Sequence, residues 1–219
     1  MVNSVIELAK DTARIDDEKH LVEAEKILLD YLKEHKDDSD SWLLLARIEW
    51  NSPLEDPDRI LEYLDSIFTR DPTHPYALLF LAQTYHTFLG GINDDIFTQL
   101  CHICSPDQEV MAMVEVAKAR YFKHRDTIKY QEALECSVKY SRKQQINCSS
   151  LGILYCQQGD LKKGRALVKQ AVENIKAVDA KWDEVSIEYW FNYYYKGTEI
   201  SQWMYDDLLK LLEQASGSI

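Results

Sequence analysis

A pattern that returns about every 35 residues constrains this 219-residue chain more than its composition does. It is clearest where Cys148 is followed by Leu151, Gly152 and Tyr155, then by a Gly159-Asp160 turn, then by Gly164, Val168 and Ala171. Upstream the same spacing returns as Met113, Val116, Ala117 and Arg120, as Leu78, Leu81, Ala82 and Tyr85, and as Trp42, Leu45, Ala46 and Glu49. Downstream it gives Trp182, Val185, Ser186 and Tyr189, and near the start a weaker Leu8, Asp11, Thr12 and Ile15. Units of this kind account for nearly the whole chain.

Each unit has a physical logic. A large residue, a second three on, a small one beside it and another large one three further share one face of a helix at 3.6 residues per turn. The small residue (Ala46, Ala82, Ala117, Gly152 or Ser186) lets a second helix approach closely. That second helix is legible as the stripes Ala24, Leu28, Tyr31; Ile60, Leu64, Ile67; and Gly164, Val168, Ala171. Pro72, Pro75 and Pro106 fall between units, where a helix has to stop. Four aspartate pairs, at 16–17, 37–38, 94–95 and 206–207, could suggest divalent-metal ligands. Three of them lie at or just before expected helix starts, so they read as caps or solvated faces.

These residues resemble the tetratricopeptide repeat family. The match rests on Cys148 to Ala171, Trp182 to Tyr189 and Leu78 to Tyr85, with the prolines at 72 and 106. The resemblance implies an all-α fold, a right-handed superhelical solenoid of about five to six antiparallel helix pairs. It reads as a single repeat domain over 1–219: an irregular first repeat or cap at 1–38, four repeats over 39–178 and an aromatic-rich terminal repeat at 179–219. Some positions depart from the family pattern. Glu49 and Arg120 stand where an aromatic is usual, Asp94 and Lys129 where the second helix normally has a small residue, and Asp11 takes an apolar position.

Composition then removes several function classes. The longest apolar run, Ala77 to Ala82, is far short of the roughly 18 residues a membrane span needs. The first twenty residues carry Glu7, Asp11, Asp16 and Asp17 and do not read as a secretory signal. Five cysteines, an odd number, fit reduced thiols, and a cytoplasmic location is expected. A pI near 4.9 disfavours a general nucleic-acid or anionic-membrane binder. The net charge of −12 is uneven: residues 1–109 hold 23 acids and 9 bases, whereas residues 118–176 hold 13 bases and 5 acids. The excess of +8 there reads either as solvated helix faces or as a zone where an acidic partner segment would rest.

No constellation for catalysis emerges. Gly90-Gly91 stands alone and reads as a turn, not a phosphate loop. His124-Arg125-Asp126 echoes a kinase tripeptide, but no Gly-rich loop precedes it and Gln131 sits five after the aspartate. Cys101 and Cys104 have the spacing of a zinc or redox site, yet no second ligand pair matches them. They are expected to be a buried, chemically idle pair. No enzyme activity, cofactor or metal is expected.

In tetratricopeptide proteins the first helix of each pair lines the concave surface, so the resemblance implies which residues form a groove. They are Leu43, Arg47 and Trp50; Tyr76, Leu79, Gln83 and His86; Met111, Val114, Lys118 and Tyr121; Ser149 and Ile153. Family members that grip acidic chaperone tails use Lys, Asn and Arg at such positions. Here the first position is Leu43, Leu79, Val114 or Ser149, so that ligand is not expected. A partly apolar groove suits a partner helix or an extended hydrophobic segment. The reading is a scaffold or adaptor for a protein or peptide partner. The alternative is a dedicated secretion chaperone or a toxin-neutralising partner; an enzyme or metal-dependent protein is the competing class. Nine aromatics between Trp182 and Tyr205, among them Trp190, Tyr194 and Trp203, form either the core of the last pair or an association patch that could pair two copies.

Overall fold

The computed structural model describes residues 2–13, 17–50, 54, 56–177, 207 and 210. Trp182, Tyr189, Trp190, Tyr194, Trp203 and the rest of the proposed association patch lie outside the described residues. Those described form ten helices and no strand. None of these helices is long and apolar enough to cross a membrane. They fall into two compact units, one up to Ile92 and one from Asn93 onward.

Unit 1 contains α1 (Val2–Ala13), α2 (Glu18–Leu32), α3 (Ser39–Trp50), α4 (Pro57–Phe68) and α5 (Pro75–Phe88). Each packs on its neighbour in the chain. The stripes expected of second helices are largely the faces that go inside: Ala24 and Leu28 of α2, and Ile60, Leu64 and Ile67 of α4, are buried, while Tyr31 of α2 is half-buried and Leu21 joins the buried face instead. A fully buried leucine or isoleucine contributes roughly 1.5–3 kcal/mol, so these two stripes anchor the unit.

The first helix corrects the expected register. Leu8 is 55 % exposed and Asp11 is exposed too, while Ala9 (0 %) and Ala13 face the core. A phase one residue later buries two small side chains. It leaves the charged Asp11 in water, where it costs nothing.

Unit 2 contains α6 (Asp94–His102), α7 (Gln108–Phe122), α8 (Thr127–Tyr140), α9 (Gln145–Gln157) and α10 (Leu161–Ala177). Its core gathers Ala119, Ala133, Leu134, Cys148, Leu151 and Ala171. Cys148 is buried as its place in the repeat implies, and burial pushes its thiol up to about 12. The tightest approach lies between α9 and α10. A Cβ on Gly164 would fall 2.4 Å from Cys156 Sγ and 2.7 Å from the Gly152 carbonyl oxygen, so only glycine fits there.

Cys101 and Cys104 are exposed, against expectation. The nine-residue α6 buries only Ile96 and Leu100, and Cys104 lies beyond its end at His102.

Aspartate does much of the helix starting. Asp17, Asp38, Asp56, Asp107, Asp126 and Asp160 each accept a hydrogen bond from a backbone amide in the first turn that follows. Such a cap contributes about 1 kcal/mol. Asn93 does this for α6, leaving Asp94 and Asp95 in its first turn. Asp207, from the fourth aspartate pair, lies 3.1 Å from Lys210 Nζ.

Candidate partner-binding surface

The groove expected from the repeat pattern draws on α3 and α5 in unit 1 and on α7 and α9 in unit 2. The position directly after each leading residue turns out to be interior. Leu43 (1 %), Leu79 (0 %) and Val114 (0 %) are core residues, and Ser149 is buried. Arg47 and Gln83 are buried as well; Gln83 Nε2 donates to Thr87 Oγ1 at 2.8 Å. These six are packing positions in the structure rather than open surface. Their burial follows from first helices that are covered nearly all round: α3 is buried at every position from Leu43 to Glu49.

In unit 1 the positions left accessible are Trp50, Tyr76 and His86. Trp50 sets its ring edge-on against Phe80 (5.6 Å between centroids) and Phe88 (4.9 Å), tying the end of α3 to α5. Tyr76 leans on His74 at 6.4 Å. His74 in turn accepts the Ala77 amide at the start of α5, and burial lowers its pKa. His86 is exposed.

In unit 2 the accessible positions are Met111, Lys118, Tyr121 and Ile153, all half-buried. Lys118 Nζ lies 2.8 Å from Glu115. Tyr121 is the most elaborated of them. Its ring stacks on Phe97 at 4.1 Å and 15°, meets Phe122 edge-on at 5.1 Å, and lies 4.0 Å from the Arg125 guanidinium carbon. Its hydroxyl donates to Asp94 Oδ1 at 2.8 Å, and that bond raises the phenol pKa. The sequence marks Asp94 only as part of an aspartate pair and as a departure from the repeat, and Phe97 not at all, because α6 is too short to show a clear helical period.

A perturbed set of ionisable groups lies elsewhere in unit 1. Glu25 of α2, Glu49 of α3, and Arg59 and Tyr63 of α4 meet in the interior. Tyr63 OH donates to Glu25 Oε1 at 2.7 Å and accepts from Arg59 Nη2 at 2.8 Å. Arg59 is ion-paired with both Glu25 and Glu49, its Nη1 lying 2.9 Å from Glu49 Oε1. Burial, helped by the charge of Asp56, raises the Glu49 pKa to about 7, and burial raises that of Tyr63 to about 12. Perturbed groups often mark active sites. Here Glu49 has no exposed surface and Glu25 almost none, so no substrate reaches them as the chain is folded.

Among the described residues no three His, Cys, Asp or Glu side chains gather as metal ligands. Asp126 of the His124-Arg125-Asp126 run caps α8 through the Ile128 and Lys129 amides.

No family model and no curated protein matches this sequence. Solved structures similar to it include PilW, described as a widely conserved type IV pilus biogenesis factor. The two share 14 % identity with a TM-score of 0.62 over 97 % of each chain. MamA is similar at 17 % identity and a TM-score of 0.52, over 76 % of this chain and 94 % of its own. A MamA RS-1 ArsTM double mutant gives 15 % and 0.53, over 81 % and 98 %. PilW and MamA are both tetratricopeptide repeat proteins.

The chain has a tetratricopeptide-like fold. In this tetratricopeptide-like chain, Glu49 occupies the position that Tyr85 and Tyr155 fill in their own repeats, and it is buried where they are half-buried.

Proposed function

We propose that this chain is a non-catalytic binding protein that holds a segment of a protein partner on the first-helix positions left open. The observation that carries the reading is the Tyr121 platform. There a half-buried aromatic ring is fixed by Phe97, Asp94 and Arg125, and the same unit's first helices carry the half-buried apolar positions Met111 and Ile153. Fixed aromatic side chains with one polar end are what interface anchors require, because little conformational entropy remains to be lost on binding. The fold supports the reading, since its repeat hairpins present side chains in register. PilW, similar in fold, is described as a biogenesis factor, an assembly role that suits a chain whose work is to hold another protein.

The test is affinity capture from native extract with mass spectrometry, comparing the natural chain with Tyr121→Asp and with Ile153→Asp. Leu79 is unsuitable for this purpose because it is a core residue. The proposal expects a protein retained by the natural chain and lost by both variants, with melting curves little changed. Equal retention by folded variants would contradict it.

A further inference from the structure

We propose that the edge of unit 2 formed by the α7–α8 and α9–α10 turns docks an acidic protein segment that also carries apolar side chains. This surface shares Arg125 with the Tyr121 platform above, but its lysines and its two exposed aliphatic side chains are not among the first-helix positions.

Three observations converge on this edge. First, the two turns are held together. Gln158 Nε2 donates to Gln131 Oε1 at 2.8 Å and Tyr155 OH to Glu135 Oε1 at 2.7 Å, which fixes the end of α9 beside the first turns of α8.

Second, the edge carries five exposed cations. Lys123, Arg125, Lys129, Lys162 and Lys163 stand there, all exposed. The nearest acids are committed to the fold. Asp126 accepts from the Ile128 and Lys129 amides, both at 3.0 Å, and Asp160 accepts from the Lys163 amide at 3.2 Å. Each carboxylate thus also offsets the positive end of its own helix. The ion pairs that do form, Lys129 to Asp126 at 3.8 Å and Lys163 to Asp160 at 3.0 Å, are exposed and easily exchanged for an incoming carboxylate. Lys163 is further steadied at 5.3 Å over the Tyr155 ring.

Third, two large aliphatic side chains project among these cations. Ile128 is 72 % exposed and Leu161 48 %. They occupy nearly equivalent places, one or two residues past the capping aspartate of successive second helices. A single exposed aliphatic means little. Two of them on one edge, ringed by cations, match a ligand that alternates carboxylates with apolar side chains. Glu132 and Glu135 are interleaved on the same edge, which favours a patterned protein segment over a uniformly anionic membrane.

The experiment is selection from a displayed library of random peptides of about twelve residues, with the full chain as target. Clones are then counter-screened against Lys129→Glu/Lys163→Glu and against Ile128→Ser/Leu161→Ser. The expected result is a set of clones rich in Asp and Glu around Leu, Phe or Trp that the lysine variant loses. The affinity of a synthesised clone should drop about tenfold or more in that variant, and less in the aliphatic variant. These clones should still bind Ile153→Asp, which separates this edge from the first-helix surface. The proposal is overturned if no clone is lost, if the lost clones are not acidic, or if only phosphatidylserine vesicles distinguish natural chain from variant. Should the lysine variant not fold, an affinity that stays flat between about 50 and about 500 mM salt would overturn it equally.

Discussion

In unit 1 the side chains that cross between α2, α3 and α4 inside the core are acids and a base: Glu25, Glu49 and Arg59, joined by Tyr63. In unit 2 the buried side chains that cross between helices are neutral, and the carboxylates that take part in such links, Glu109 and Glu135, are not buried. Ser137 Oγ donates to the Ala112 carbonyl at 2.8 Å. Asn147 Nδ2 donates to Ser137 Oγ at 3.0 Å and to the Ser141 carbonyl at 2.7 Å, and Asn174 Nδ2 to the Arg142 carbonyl at 2.6 Å. The same hairpin architecture is therefore fastened by two chemistries. A buried amide network is indifferent to pH near neutrality. A buried carboxylate held by a shared guanidinium is not. The difference teaches that the repeat tolerates Glu49 in an aromatic's place because Arg59 stands beside it and its carboxyl can be held protonated.

The largest effect should come from removing the shared base. Arg59→Leu strands Glu25 and Glu49 and should cost about 3–5 kcal/mol at pH 8. The cost should shrink at pH 5, where Glu49 is protonated; urea unfolding at the two values would show it. An equal loss at both would mean that Arg59 acts by packing alone.

Glu49→Gln works the other way. The folded-state pKa of Glu49 is raised from 4.5 to about 7. The protonated form is therefore the one the fold favours, and the stability tied to it is present at low pH and lost as pH climbs from about 4.5 to about 7. Across that span the loss is roughly 3 kcal/mol. The glutamine variant should flatten this slope and be the more stable protein at pH 8, with little difference at pH 4.5. A variant no more stable than the natural chain at pH 8 would remove the carboxylate from the account.

Asn147→Leu should cost about 1–3 kcal/mol through the buried partners it leaves unpaired, by the same amount at pH 5 and pH 8. A pH-dependent loss would break the contrast between the units. The smallest effect is expected from Asp126→Ala, about 1 kcal/mol for the lost cap of α8, measured as a modest drop in melting temperature.

The repeat and its second-helix stripes were legible in the sequence because they depend on spacing, and spacing survives folding: Ala24 and Leu28, Ile60, Leu64 and Ile67 are all buried. The phase of α1 was not. Leu8 outranks Ala9 in hydrophobicity, yet tertiary packing chose the small residue. Six of the expected groove positions, Leu43 among them, are buried. The run from Leu43 to Ala46 already resembles a helix apolar on every side, the mark of a buried element, and the family pattern drew attention away from it. Phe97 beneath Tyr121 and the Ser137–Asn147 network were beyond reach, since partners 24 and 10 residues apart carry no local signature when they meet through tertiary structure. The exposure of Cys101 and Cys104 depended on where α6 ends, and helix boundaries are set by caps rather than by composition.

The central claim is that this tetratricopeptide-like chain works by holding another protein against its first helices. Its most direct test is photo-cross-linking in living cells with benzoylphenylalanine replacing Tyr121, and with the exposed Lys139 replaced as a control. The account predicts a discrete protein adduct from position 121 that is absent from position 139 and disappears when Ile153→Asp is added. An adduct pattern identical at both positions, or no protein adduct from position 121 in folded protein, would contradict it.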